Sequence, residues 1–337
     1  MRRQPPQLRR TLRLAAHQLF ALDRIPPHAV GSTSVDLLRR NRGARYTGVA
    51  NAVIRRLAEV RLEERAGDGP LGRLPEDQWP RNLAVRYSLP AAFIADCESV
   101  KPADVDWSTC NHVPPLCTRS IRPQVAEQPG VLRHDGVWTW WSDPVAALQG
   151  PVAQGEAVVQ DRSQGALIEL AEIRPGMRVL DLCAAPGGKA RYVHDCGARV
   201  FAADLAIDKF ARLRENLPGV PLPMQDGTRA ALAPAFDVVL VDAPCTNSGV
   251  FARRPEARWR YTAETRDALV AQQRVLLASA ARLVRPGGQL WYGTCSLCPA
   301  ENTGVVTSLP GWEPVRERLC WPDAWQAGGY AAVLQRC

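Results

Sequence analysis

The chain has 337 residues, 46% of them apolar and 23% charged, proportions of a soluble globular protein that exclude a disordered or fibrous one. No apolar run approaches the ~18 residues that cross a bilayer. The basic start MRRQPPQLRR also lacks the apolar stretch and cleavage site of a secretory signal, so the reading is cytoplasmic, with no membrane partner. Formal net charge is +8, but residues 1–65 hold 14 arginines against 5 acidic residues, a local balance of +9 that leaves about −1 for the remainder. A one-sided basic segment suits a polyanion, nucleic acid first. The alternative is coding bias, since Arg greatly outnumbers Lys throughout. The 10 cysteines are scattered and read as reduced thiols. Cys295 and Cys298 form a C-x-x-C, which lacks the second ligand pair of a structural zinc site.

Apolar spacing predicts a helix over 11–25, through Leu12, Ala15, Leu19 and Leu22, ended by Pro26-Pro27. It predicts another over 46–64, through Val49, Val53, Leu57 and Val60, which makes 1–66 a helical domain. GDGPLGRLPEDQWP, at 67–80, reads as a linker. Residues 81–150 form a small α+β region, with NHVPPLCTRSIRP (111–123) and VWTWWSD (137–143) as its strand or loop pieces.

From 151 to 337 the pattern sharpens. RVLDLC (178–183), RVFAAD (199–204), VPLPMQD (220–226), FDVVLVD (236–242) and QLWYGTCS (289–296) read as strands. Helical segments, notably 207–216 and 263–284, separate most of them. This alternation predicts an α/β fold with a parallel, doubly wound sheet. Most of these runs carry an acid or cysteine near the carboxyl edge, where such sheets keep their sites.

VLDLCAAPGGKARYV (179–193) is strand, glycine turn and helix start. Gly187 and Gly188 let a ligand approach the backbone and the helix amino terminus. A G-x-G-x-x-G fingerprint is absent. Asp204 is placed to receive ribose hydroxyls, and Asp226 to meet an adenine amino group. Together they specify a nucleoside without a pyrophosphate, which suits S-adenosylmethionine; a plain turn with helix-capping aspartates is the alternative. VDAPCTNSGV (241–250) sets Asp242 and Cys245 together at the end of a buried run.

These stretches resemble the signature motifs of the RNA 5-methylcytosine methyltransferases: LDLCAAPGGKA, VDAPCTNSGV with ARRPEARWR, and YGTCS followed by Glu301-Asn302. GEAVVQDRSQ (155–164) resembles the segment leading into that family's catalytic domain. QLFALDRIPPHAV with GVANAVIRRLAE resembles the NusB-like helical domain of the Sun (RsmB) branch, which acts on small-subunit ribosomal RNA. The resemblance implies a Rossmann-like S-adenosylmethionine-dependent catalytic domain over 151–337, a methyltransferase-associated region over 81–150 and a partial NusB-like, RNA-binding domain over 1–66.

Carbon 5 of cytosine is too weak a nucleophile to attack a sulfonium methyl. A thiolate added at carbon 6 converts the ring to an enamine that attacks through carbon 5, and a soft, expellable nucleophile favours cysteine. By the resemblance, Cys295 is that nucleophile, Asp242 hydrogen-bonds the cytosine edge while facing the methyl donor, and Cys245 assists release. The base is flipped out to reach them. Cys183, Ala184, Ala185, Pro186, Gly187 and Gly188 form the cofactor loop, with Lys189, Asp204, Asp226 and Asp242 around it. Lys189 reads as a contact to the cofactor carboxylate or as a local cap. Cys97, Cys196, Cys320 and Cys337 read as packing. Arg253, Arg254, Arg258 and Arg260 with Trp259 suit phosphate contact and base stacking, or equally a solvated helix start.

Three features depart from the family pattern. The helical domain begins midway, and half a bundle exposes apolar faces unless they are covered. QDRSQ and TNSG replace the usual QDEAS and SGTG, and QAGGYAAVLQRC replaces a DGFF-type final strand. The expectation is a monomeric enzyme methylating cytosine in ribosomal RNA. Methylation of transfer RNA, or a non-catalytic RNA-binding or assembly protein, is the rival reading.

Overall fold

Pro26 and Pro27 start a helix rather than end one: the first helix already stops at Ala21. Proline cannot donate to a helix interior, yet its fixed φ suits a helix start. After α1 (Pro6–Ala21), Pro27 opens a second helix, α2 (Pro27–Arg40), which the apolar spacing did not single out; α3 (Thr47–Arg65) follows. The coordinates are a computed structural model and describe residues 4–22, 24–41, 43–65, 81–121, 129–205, 207–230, 232–233 and 235–337. The linker expected over 67–80 lies outside the described residues. Two compact units are present, Met1–Asn82 and Leu83–Cys337. In the first, Leu8, Ala15, Leu19, Val30, Leu38, Ala50 and Ile54 of the three helices close a core, while Leu14, Phe20 and Val49 stay exposed. The apolar exposure expected of half a bundle is therefore partial.

The second unit begins within α4 (Arg81–Tyr87) and continues through α5 (Ala91–Cys97) to a small antiparallel sheet. Strands β1 (Leu116–Ser120), β2 (Val131–Asp135), β3 (Trp138–Trp141) and β4 (Ala157–Val159) lie in the order β2-β3-β1-β4. The tryptophans of β3 are buried. A short helix α6 (Pro144–Ala147) and then α7 (Arg162–Leu170), capped by Asp161, lead into the main sheet.

That sheet contains β5 (Arg178–Asp181), β6 (Arg199–Ala202), β7 (Phe236–Asp242), β8 (Val284–Thr294), β9 (Trp312–Cys320) and β10 (Gly329–Arg336), ordered β6-β5-β7-β8-β10-β9. Helices α8 (Gly188–Asp195), α9 (Phe210–Asn216), α10 (Ala263–Ala281) and α11 (Thr303–Val306) join or flank the strands. Successive residues of β7 serve opposite faces, as a period of two requires. Val239 and Val241 pack with Leu276 and Leu277 of α10, and Val238 and Leu240 with Leu167 of α7 and Val193 of α8.

The α/β reading holds, with two corrections. The sheet is mixed rather than wholly parallel: β6, β5, β7 and β8 are parallel, whereas β10 runs antiparallel to both neighbours. The run 220–226 is not a strand, because Pro221 and Pro223 cannot donate to a ladder; a single Asp204–Met224 bridge remains there. Strand β9 escaped the sequence reading because this edge strand alternates buried and exposed positions through charged residues rather than forming an apolar run. Among the described residues, no helix is long and apolar enough to cross a membrane.

Candidate active site

The carboxyl ends of the parallel strands open on a cleft of about 530 Å³ lined by Cys183, Ala185, Asp204, Asp226, Asp242, Cys245 and Cys295, among others. The turn after β5 is built to stay open. Gly187 sits at φ +108°, and a Cβ there would lie 3.1 Å from Leu213 Cδ1 and 3.2 Å from Asn216 Cβ. The Ala185 N–H donates to Asp204 Oδ2 at 2.8 Å, tying the turn to the end of β6. Asp226 Oδ1 accepts from the Thr228 N–H and hydroxyl at 2.9 and 2.7 Å, which hold its carboxyl below the usual range.

Lys189, buried on α8, donates through Nζ to Asp242 Oδ2 at 2.7 Å and to Gln164 Oε1 at 2.8 Å. Burial opposes its charge, but Asp242 more than compensates and holds it above the ordinary lysine range. The structure places the amine against Asp242, a contact that neither of the two sequence readings named.

The two cysteines lie together: Cys245 Sγ and Cys295 Sγ are 3.3 Å apart. Either sulfur can donate to the other. That hydrogen bond first, then burial, pushes the Cys245 thiol well above the usual thiol range. The same bond lowers Cys295 against the opposing effects of burial and Asp242, and the positive charges of Lys189 and Arg254 act with it. Asn247 donates through Nδ2 to the Cys245 carbonyl at 2.9 Å, which turns its Oδ1 to within 3.1 Å of Cys295 Sγ. This acceptor favours the Cys295 thiol, but the net direction at Cys295 is downward, toward thiolate.

Glu301, 0% exposed, binds the two cysteine loops to each other. Oε1 accepts from the Thr246 N–H at 2.9 Å and Gln273 Nε2 at 3.1 Å; Oε2 accepts from the Thr246 and Ser296 hydroxyls at 2.5 Å each. Gly249, beyond Thr246, packs against Gly328: a Cβ on Gly249 would fall 2.5 Å from the Gly328 carbonyl carbon. Glu301→Ala leaves buried donors without their acceptor. Its unfolding free energy should fall by about 3 kcal/mol, read from the urea midpoint; an unchanged midpoint would show that the clamp is dispensable.

The sequence reading missed Asp181, Gln164 and Asn247 and gave Glu301 no role. Asp181 carried the signal used for Asp204 and Asp242, an acid ending an apolar run. Burial first, then Asp242, pushes its carboxyl up to about 8, and its Oδ2 has no hydrogen-bond partner in the structure. The basic stretch divides. Arg253 donates to the Pro114 and Pro115 carbonyls and to Asp161, and Arg258 to the carbonyls of Ser88, Cys110 and Phe251. Arg254, Trp259 and Arg260 are exposed. Cys298 is buried beside Cys97, and no group of three or more metal-capable side chains occurs among the described residues.

The site fits S-adenosylmethionine. The glycine turn admits a close ligand, and carboxylates stand near the ends of successive strands around the cleft. Sheet and site define an S-adenosylmethionine-dependent methyltransferase. A methyltransferase homolog protein of Pyrococcus horikoshii has this fold, with TM-score 0.63 at 20% identity, over 78% of this chain and 100% of that one. A family model described as 16S rRNA methyltransferase RsmB/F matches residues 168–314, and one for the NusB family matches 1–59. Ribosomal RNA small subunit methyltransferase B of Xylella fastidiosa is 34% identical over 98% of this chain and 79% of its own length. The enzyme of that name in Vibrio cholerae is 30% identical over 90% of this chain and 73% of its own. The chain belongs to the RsmB/F methyltransferase family.

Proposed function

We propose that the protein methylates carbon 5 of a cytosine in small-subunit ribosomal RNA through a covalent cysteine adduct. The observation that carries this reading is the pair of sulfurs 3.3 Å apart beside Asp242, with thiolate character directed to Cys295. The names of the Xylella and Vibrio relatives support ribosomal RNA as the substrate.

Cys295 attacks carbon 6 of the flipped base, and the 5,6 double-bond electrons move toward ring nitrogen 3. Ring nitrogen 3 is protonated as this charge builds, the proton passing from the buried Lys189 ammonium through Asp242, 2.7 Å from it, and returning when the adduct collapses. S-adenosylmethionine supplies an electrophilic methyl group. Carbon 5 takes that methyl and then gives up its proton to solvent water at the open cleft. The electrons restore the double bond and expel Cys295 as thiolate. Cys245, protonated and adjacent, donates a hydrogen bond to the departing sulfur and so eases its release. The glycine turn, Asp204 and Asp226 hold the donor, while Glu301 keeps the two cysteine loops in register.

Bisulfite sequencing of RNA from cells with and without the gene tests the substrate. Loss of one protected cytosine in small-subunit ribosomal RNA is expected. Loss confined to transfer RNA would move the activity there, and no loss would favour a non-catalytic role.

A further inference from the structure

Trp259 is 78% exposed, although an indole is among the side chains that gain most from burial. It lies on a short turn, Pro255–Arg260, that directly continues the Cys245 loop, while its neighbours Ala257 and Arg258 turn inward to brace the fold. At the start of that turn Arg254 lines the cleft, close enough to Cys295 for its charge to favour the thiolate. Arg260 is exposed at the other end, and among the described residues no hydrogen bond or ion pair engages the side chain of Arg254 or Arg260; Arg254 is held through its backbone N–H, which donates to the Val250 carbonyl at 2.8 Å. Glu256 is the acid of the segment. An exposed ring between two uncommitted guanidinium groups, leading away from the reacting sulfur, matches single-stranded RNA in charge and chemistry.

Resting on the function proposed above, we infer that Arg254, Trp259 and Arg260 form the docking surface for the RNA strand beside the target cytosine. Arg254 takes the phosphate of the flipped nucleotide, Trp259 stacks on a neighbouring base, and Arg260 takes a further phosphate. The stack fills the gap left in the strand when the cytosine leaves it, so the surface holds the extruded state open.

The test uses the full chain and a twelve-nucleotide single-stranded RNA of mixed sequence centred on cytidine, with binding followed by fluorescence anisotropy. Trp259→Ala should weaken binding about tenfold and Trp259→Phe much less, with cofactor affinity and urea midpoint unchanged. Arg260→Ala should lower the log–log salt slope by about one, whereas Trp259→Ala should leave the slope intact. Equal binding by Trp259→Ala and the unaltered protein overturns the docking surface while leaving the methylation reading in place. Failure of the unaltered protein to bind this RNA overturns the docking surface, and failure to form 5-methylcytosine in ribosomal RNA separately overturns the function on which it rests.

Discussion

Cys295→Ala should abolish methyl transfer, lowering turnover by more than about a thousandfold, while cofactor affinity stays within about twofold. The expectation follows from where each group sits. The positions proposed to hold the cofactor lie in the turn after β5 and at Asp204 and Asp226, whereas Cys295 follows the end of β8 beside Cys245. Removing a sulfur there erases the nucleophile and leaves the glycine turn untouched. A second consequence is internal. The hydrogen bond that raises Cys245 disappears, so the Cys245 thiol should titrate lower in the variant. Calorimetric titration with the cofactor and a methyl-transfer assay separate the two effects. Appreciable turnover by Cys295→Ala would remove it from the chemistry, and lost cofactor binding would make it structural.

Cys245→Ala should do the opposite of silencing the enzyme. The adduct should form and accept its methyl, because attack and transfer require Cys295, but the departing sulfur loses the donor 3.3 Å away. A covalent protein–RNA species should therefore accumulate and survive a denaturing gel, at a level at least tenfold above that of the unaltered protein. The double variant with Cys295→Ala should show none. Trapping by Cys295→Ala instead would exchange the roles of the two cysteines, and near-normal turnover without trapping would make Cys245 a packing residue.

Much of this site was legible because strand ends announce themselves. Asp204, Asp242, Cys245 and Cys295 each close or follow an apolar run, and the fold delivers all four to one sheet edge. What stayed hidden depends on contacts between segments distant in sequence. Gln164 reaches Lys189 across 25 positions, and Glu301 gathers groups from Thr246, Gln273 and Ser296. Neither has a local signature. The basic stretch shows the limit from the other side: composition treats Arg253, Arg254, Arg258 and Arg260 alike, yet carbonyl partners commit Arg253 and Arg258 to the fold. The proline-interrupted run at 220–226 misled because its apolar residues read as a strand, while its missing N–H groups prevent a ladder.

The central claim, covalent attack at carbon 6 with methylation at carbon 5, is tested most directly with substrate RNA carrying tritium on carbon 5 of its cytosines. Every methyl group transferred must displace one carbon 5 hydrogen, so tritium should appear in water in a one-to-one ratio with methyl incorporated, and Cys295→Ala should release none. Methyl incorporation without tritium release would place the methyl elsewhere on the RNA and contradict the mechanism.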